Sequence, residues 1–99
     1  MDRNHNTNRN GTNWTENEKI SVSKKGKIIP DFAPEVWRWD RCGDVMKWNE
    51  HGNRNLKNGW EIDHINSVSN LGGDEISNLQ PLHWKNNLDK GDKLNWNCA

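Results

Sequence analysis

Asp63 and His64 stand side by side at the end of an apolar run, Gly59-Trp60-Glu61-Ile62-Asp63-His64-Ile65. A carboxylate is a hard oxygen ligand, and an imidazole titrates near neutrality and can take a proton from water. The pair therefore offers one metal ligand and one base. Asn87, further along, could add a neutral amide oxygen as a second ligand. Few protein ligands, all of them oxygen, suit Mg²⁺ completed by waters and by phosphate oxygens of a substrate. Such an ion stabilises negative charge on a scissile phosphate and its leaving oxygen.

Two points weigh against reading a site from the pair alone. Adjacent Asp and His are common and usually carry no chemistry. A regular strand also sends neighbouring side chains to opposite faces. Trp60, Ile62 and His64 would share one face, and Glu61, Asp63 and Ile65 the other. For both residues to serve one site, the chain must leave the regular pleat there.

The elements that would position these groups follow from pattern. Trp60 to Ile65 is the clearest strand. Val45, Met46 and Trp48 read as an earlier strand ending near His51-Gly52, after a Cys42-Gly43-Asp44 turn. Trp37 and Trp39 alternate like a strand, although Pro34 and Val36 would also start a short helix. Ile20, Val22, Ile28 and Ile29 flank a Lys-Lys-Gly turn and suggest two short strands or an extended arm. Asn66 to Ser77 is a long loop with a Gly72-Gly73 turn. "NLQPLHWKNNLDK" then reads as a helix, with Pro81 in its first turn, Gly91 as C-terminal cap, and Leu82, Trp84 and Leu88 on its buried side. The order strand, strand, long loop, helix predicts a small α+β domain with a ββα core, its long loop joining strand to helix.

Composition sets the frame. The chain has 99 residues, 30% hydrophobic and 28% charged, so its core must lean on seven Trp. Seventeen residues are Asn, and they crowd the N-terminus. Residues 1–18 show no apolar period and read as a flexible tail, leaving 19–99 as the domain with its motif core at 59–92. Net charge is zero, which argues against bulk electrostatic capture of nucleic acid. The charges are unevenly placed, though: nine Lys and Arg against five acids from Lys19 to Lys57, and six acids against three Lys from Glu61 onward. Chance gives such asymmetry as readily as a metal site facing a phosphate backbone does. The two cysteines, Cys42 and Cys98, form no CxxC pair and no disulfide framework. With no membrane-length apolar stretch and no secretory h-region, the expected setting is cytoplasmic, with reduced thiols.

The whole stretch "EIDHINSVSNLGGDEISNLQPLHWKNN" resembles the HNH endonuclease family, the ββα-metal nucleases. Asn78 falls fourteen residues after His64 and Asn87 twenty-three after it, intervals similar to those of the HNH domain of RNA-guided nucleases. The resemblance runs from Trp37 to Asp92. It implies His64 as the general base that activates water, and Asp63 and Asn87 as metal ligands. It implies Asn78 as the central residue of the motif, whose amide ties the loop backbone rather than binding metal. Asn at the last position departs from the family's His, and an amide favours Mg²⁺, with Mn²⁺ second, over Zn²⁺.

A second departure concerns zinc. Many HNH proteins carry two CxxC pairs that hold a structural zinc. Here the matching places read Cys42-Gly43-Asp44-Val45 and His83-Trp84-Lys85-Asn86. Two ligands do not close a tetrahedral site, so no structural zinc is expected. Packing of Trp37, Trp39, Trp48, Trp60 and Trp84 would take its place. The alternative recruits His51 or Cys98 as further ligands.

Other residues are weaker candidates. Arg54, Lys85 and Lys90 are placed to contact phosphates. His83, one helical turn before Asn87 on the expected helix, could reach a metal or a phosphate. Glu61 reads as structural sooner than as a third ligand, and Cys42 as a small buried residue. Together these imply a metal-dependent endonuclease acting on DNA with little sequence specificity of its own, and with no membrane partner. A non-catalytic HNH-fold nucleic-acid-binding module and a toxin-type nuclease with an immunity partner are the rival readings. The sequence leaves any other protein partner, and homodimerisation, open.

Overall fold

The computed structural model describes residues 6–98. The chain forms α1 (Glu16–Ser23), β1 (Lys27–Ile28), β2 (Trp37–Trp39), β3 (Val45–Lys47), β4 (Trp60–His64), β5 (Leu79–His83) and α2 (Trp84–Lys90). Strands β1, β2 and β3 make one antiparallel sheet, and β4 and β5 make a separate antiparallel pair. Helix α2 packs on both strands of that pair, and α1 packs against β5. The result is a small mixed α+β domain.

Three elements differ from the sequence reading. Residues 16–23 are helical, not extended. Thr15 and Glu18 form a reciprocal capping box, which satisfies two free donors of the first turn and outweighs the Ile20/Val22 alternation. Leu79 to His83 is a strand, not the start of the helix. The long loop therefore joins β4 to β5, where the reading had put it between strand and helix. Pro81 is tolerated because it sits opposite Ile62. Ile62 turns its N–H outward, to Asn6 Oδ1 at 3.0 Å, so this is a non-hydrogen-bonded pair and no ladder bond is lost at Pro81. The helix proper starts at Trp84 with His83 as its N-cap, and it ends at Gly91, whose φ of 54° suits glycine.

Residues 6–18 lie against the domain rather than trailing from it. Thr7 and Trp14 are buried. Asn6 acts as a substitute strand residue along the outer edge of β4, its Oδ1 accepting from Ile62 and its Nδ2 donating to His51 Nε2 at 3.1 Å. Residues 1–5 of the expected tail lie outside the described residues.

Trp14, Val22, Met46, Trp60, Ile62 and Leu79 form the core, with Trp48 packed against it. Of the five tryptophans expected inside, only Trp60 is fully buried, while Trp14 and Trp96 were not anticipated. Leu88, expected on the buried face of the helix, is exposed.

The junction where the resemblance points to a missing zinc is tied by a carboxylate. Asp40, 1% exposed, accepts through Oδ1 from the amides of Cys42 and Asp44, both at 2.9 Å. Its Oδ2 accepts from the His83 amide at 3.0 Å and from Asn86 Nδ2 at 2.8 Å. A polar clasp, rather than tryptophan packing, joins the β2–β3 turn to the start of α2. Cys42 and Cys98 are bonded to each other as a disulfide, which corrects the expectation of two reduced thiols and removes Cys98 as a zinc ligand. This bond holds the C-terminal segment, whose Trp96 is buried and donates to Asp89 Oδ2 at 2.9 Å.

Candidate active site

The last two residues of β4 and the middle of α2 border one polar cleft of about 370 Å³. Asp63, His64 and Asn87 all line it, together with Asn6, Arg54 and Ser67. The pleat does not break to achieve this. Pairing stays regular through Asp63–Gln80 and His64–Leu79, so the two side chains leave opposite faces of the strand: Asp63 meets Gln80 and Lys90, and the His64 ring meets Asp74 and Trp14.

Asp63 is 5% exposed and firmly held. Gln80 Nε2 donates to its Oδ2 at 2.9 Å, and Lys90 Nζ lies 3.2 Å from its Oδ1. Burial pushes the Asp63 carboxyl above its usual range, while the Gln80 bond, the Lys90 ammonium and His64 pull it back. Lys90 also donates to the His64 carbonyl at 3.1 Å and is itself 1% exposed. It supports the strand end from within and cannot lie along a phosphate backbone as the sequence suggested.

Asn87 is oriented from β4. Its Nδ2 donates to Glu61 Oε1 at 2.8 Å, so the amide nitrogen is committed and Oδ1 is the end left for a ligand. Glu61 is fully buried and also takes two bonds from Arg54, at 2.8 Å from Nε and 3.0 Å from the second guanidinium nitrogen. Arg54 reaches the cleft by this route. Lys85 and His83 do not, because they border a separate cleft with Lys57 and Asn58. His83 Nε2 contacts the Lys57 carbonyl at 2.7 Å, which makes it part of the helix start and its connections.

Asn78 clasps the loop between β4 and β5. Its Oδ1 accepts from the Asn66 amide at 2.8 Å. Its Nδ2 donates to the carbonyls of Asn66 and Gly73, at 3.0 and 2.9 Å. One side chain thus satisfies three backbone groups across twelve residues of loop.

The donor set fits a hard divalent ion that keeps most of its waters. Asp63 has acceptor capacity beyond its two bonds, and Asn87 Oδ1 adds a neutral oxygen. Among the described residues no three His, Cys, Asp or Glu side chains gather to hold a metal ion, so an ion here would rest on Asp63, Asn87 and water. The sequence missed Asp74, Gln80 and the burial of Lys90. The first two could have been sought as partners for a strand-end Asp-His pair. Nothing in the local pattern marks a lysine for burial.

A strand pair followed by a helix, with Asp63, His64 and Asn87 among the residues lining one polar cleft, makes a small α+β domain. A family model described as HNH endonuclease matches residues 40–93, more than half of the chain, and the chain belongs to that family. No curated protein and no solved structure matches it.

Proposed function

We propose that the protein is a metal-dependent endonuclease that hydrolyses DNA phosphodiester bonds. The observation that carries this is the meeting of Asp63, His64 and Asn87 on one cleft, within the segment that matches the family. Asp63 and Asn87 would hold Mg²⁺, with Mn²⁺ as the alternative ion. When bound, that ion stabilises negative charge on the phosphate and on the leaving oxygen. His64 takes a proton from water as its oxygen attacks phosphorus, and the bond from phosphorus to the leaving oxygen breaks. Arg54, at the rim of the cleft and braced by Glu61, is the candidate for a phosphate contact. Asn78 keeps the loop beside the base in one conformation.

The experiment is nicking of supercoiled plasmid with Mg²⁺, Mn²⁺ or EDTA. Metal-dependent nicking supports the proposal. DNA retained in a gel shift but uncut under every metal would favour the binding module instead.

A further inference from the structure

Asp74 lies outside the catalytic set, yet its Oδ1 lies 2.8 Å from His64 Nε2. We propose that Asp74 is a positioning residue that fixes the tautomer of His64, accepting from Nε2–H and leaving Nδ1 as the atom that takes the proton from water. This rests on the reading of His64 as the base.

The chemistry of the pair sets the direction. An ionised carboxylate only accepts hydrogen bonds, so the nitrogen that faces it carries the proton. A neutral imidazole has one N–H, so the other nitrogen presents its lone pair. His64 makes no second side-chain hydrogen bond among the described residues, and it is one of the residues that line the cleft. The ring is also held by packing. Trp14 packs on it with centroids 5.5 Å apart, and the His64 side chain is only 4% exposed.

Asp74 is itself fixed in place. The Arg9 amide donates to Oδ1 at 3.0 Å and to Oδ2 at 3.3 Å. The preceding carbonyl, of Gly73, is the one that Asn78 Nδ2 holds at 2.9 Å. Two positions earlier in the loop, Gly72 admits no side chain, since a Cβ there would fall 1.7 Å from the Asn66 carbonyl oxygen. The clasp of Asn78 and the tight turn at Gly72 thus set where Asp74 stands. One N-terminal segment thus touches both members of the pair, Arg9 at Asp74 and Trp14 at His64.

The test reads the tautomer directly. Long-range ¹H–¹⁵N spectra of the His64 ring would be recorded at pH 8 for the full chain, for Asp74→Ala and for Asp74→Asn, beside plasmid cleavage at saturating Mg²⁺. The expected wild-type spectrum has the proton on Nε2. Asp74→Ala should mix the tautomers and lower kcat at least about tenfold, with KM for DNA within about twofold. Asp74→Asn keeps an acceptor oxygen in a side chain of the same shape, so it should fall between the two. It also serves as the variant to read if Asp74→Ala fails to fold. A wild-type proton on Nδ1, or an unchanged tautomer and kcat in both variants, overturns the inference. Undiminished cleavage by His64→Ala overturns instead the reading of His64 as base, whatever the spectra show.

Discussion

Lys90 Nζ lies 3.2 Å from Asp63 Oδ1, and neither side chain is more than 5% exposed. An ion pair this deep gains little over an apolar pair, but removing one partner strands the other charge. Lys90→Met keeps the stem and removes the ammonium. It should cost about 3–5 kcal/mol in urea unfolding at neutral pH. A loss below about 1 kcal/mol would show that Asp63 is not charged against Lys90 in the folded chain.

Asp40 offers a sharper probe of the clasp between the β2–β3 turn and α2. In Asp40→Asn one side-chain oxygen still accepts, but the new NH₂ must face donors already aimed at the other position, from His83 and Asn86. A donor facing donors costs about as much as deletion, roughly 3 kcal/mol. Thermal unfolding should show a Tm lower by about 10 °C or more. Recovery of near-native Tm in this isosteric variant would argue that the four bonds do not act together.

His51 links stability to pH. Burial, followed by Lys19, lowers its pKa to about 4, and its Nε2 accepts from Asn6. The folded chain therefore keeps it neutral where the unfolded chain protonates it. Its contribution is fully present above pH 6.5 and is lost as pH falls toward 4. Asp63 acts in the opposite sense, because its raised folded value makes it less stabilising as pH climbs past 3.8. The difference between wild type and His51→Gln isolates the histidine. Urea midpoints of the two proteins should converge between pH 6.5 and 4, and parallel curves would contradict the assignment.

The Cys42–Cys98 bond closes a loop with a sequence separation of 56 residues. In the chain-entropy picture such a closure is worth about 4 kcal/mol. Thiol titration of the denatured, unreduced protein should find no free cysteine. Reductant should lower the unfolding midpoint, and it should have no effect on Cys42→Ser/Cys98→Ser. Two titratable thiols in the isolated protein, with no change on reduction, would contradict the pairing.

Part of the candidate site was legible from local pattern and part only from the resemblance of the whole stretch to the HNH family. The strand of β4, the Asp-His pair at its end and Asn87 as an amide ligand are read from residue types, whereas the loop role of Asn78 comes from the resemblance. What escaped depends on distant partners. Pro81 looked like a helix start because nothing local says that it will face a non-hydrogen-bonded position of β4. The Asn-rich segment looked like a tail because hydropathy ignores an amide that can complete a strand edge, as Asn6 does. Thr15 and Glu18 did announce α1 through their capping spacing, and the Ile20/Val22 alternation hid them. The burial of Lys90 depends on Asp63 lying across the helix, twenty-seven residues away in sequence.

His64 is proposed to activate water beside a metal held by Asp63 and Asn87. The most direct measurement is nicking of supercoiled plasmid by the wild type and by His64→Ala, each with Mg²⁺ and with EDTA, both proteins first shown to be folded. The wild type should nick in Mg²⁺ and not in EDTA, and His64→Ala should lose about 100-fold or more of that activity. Equal nicking by the two proteins, or nicking that survives EDTA, would contradict it.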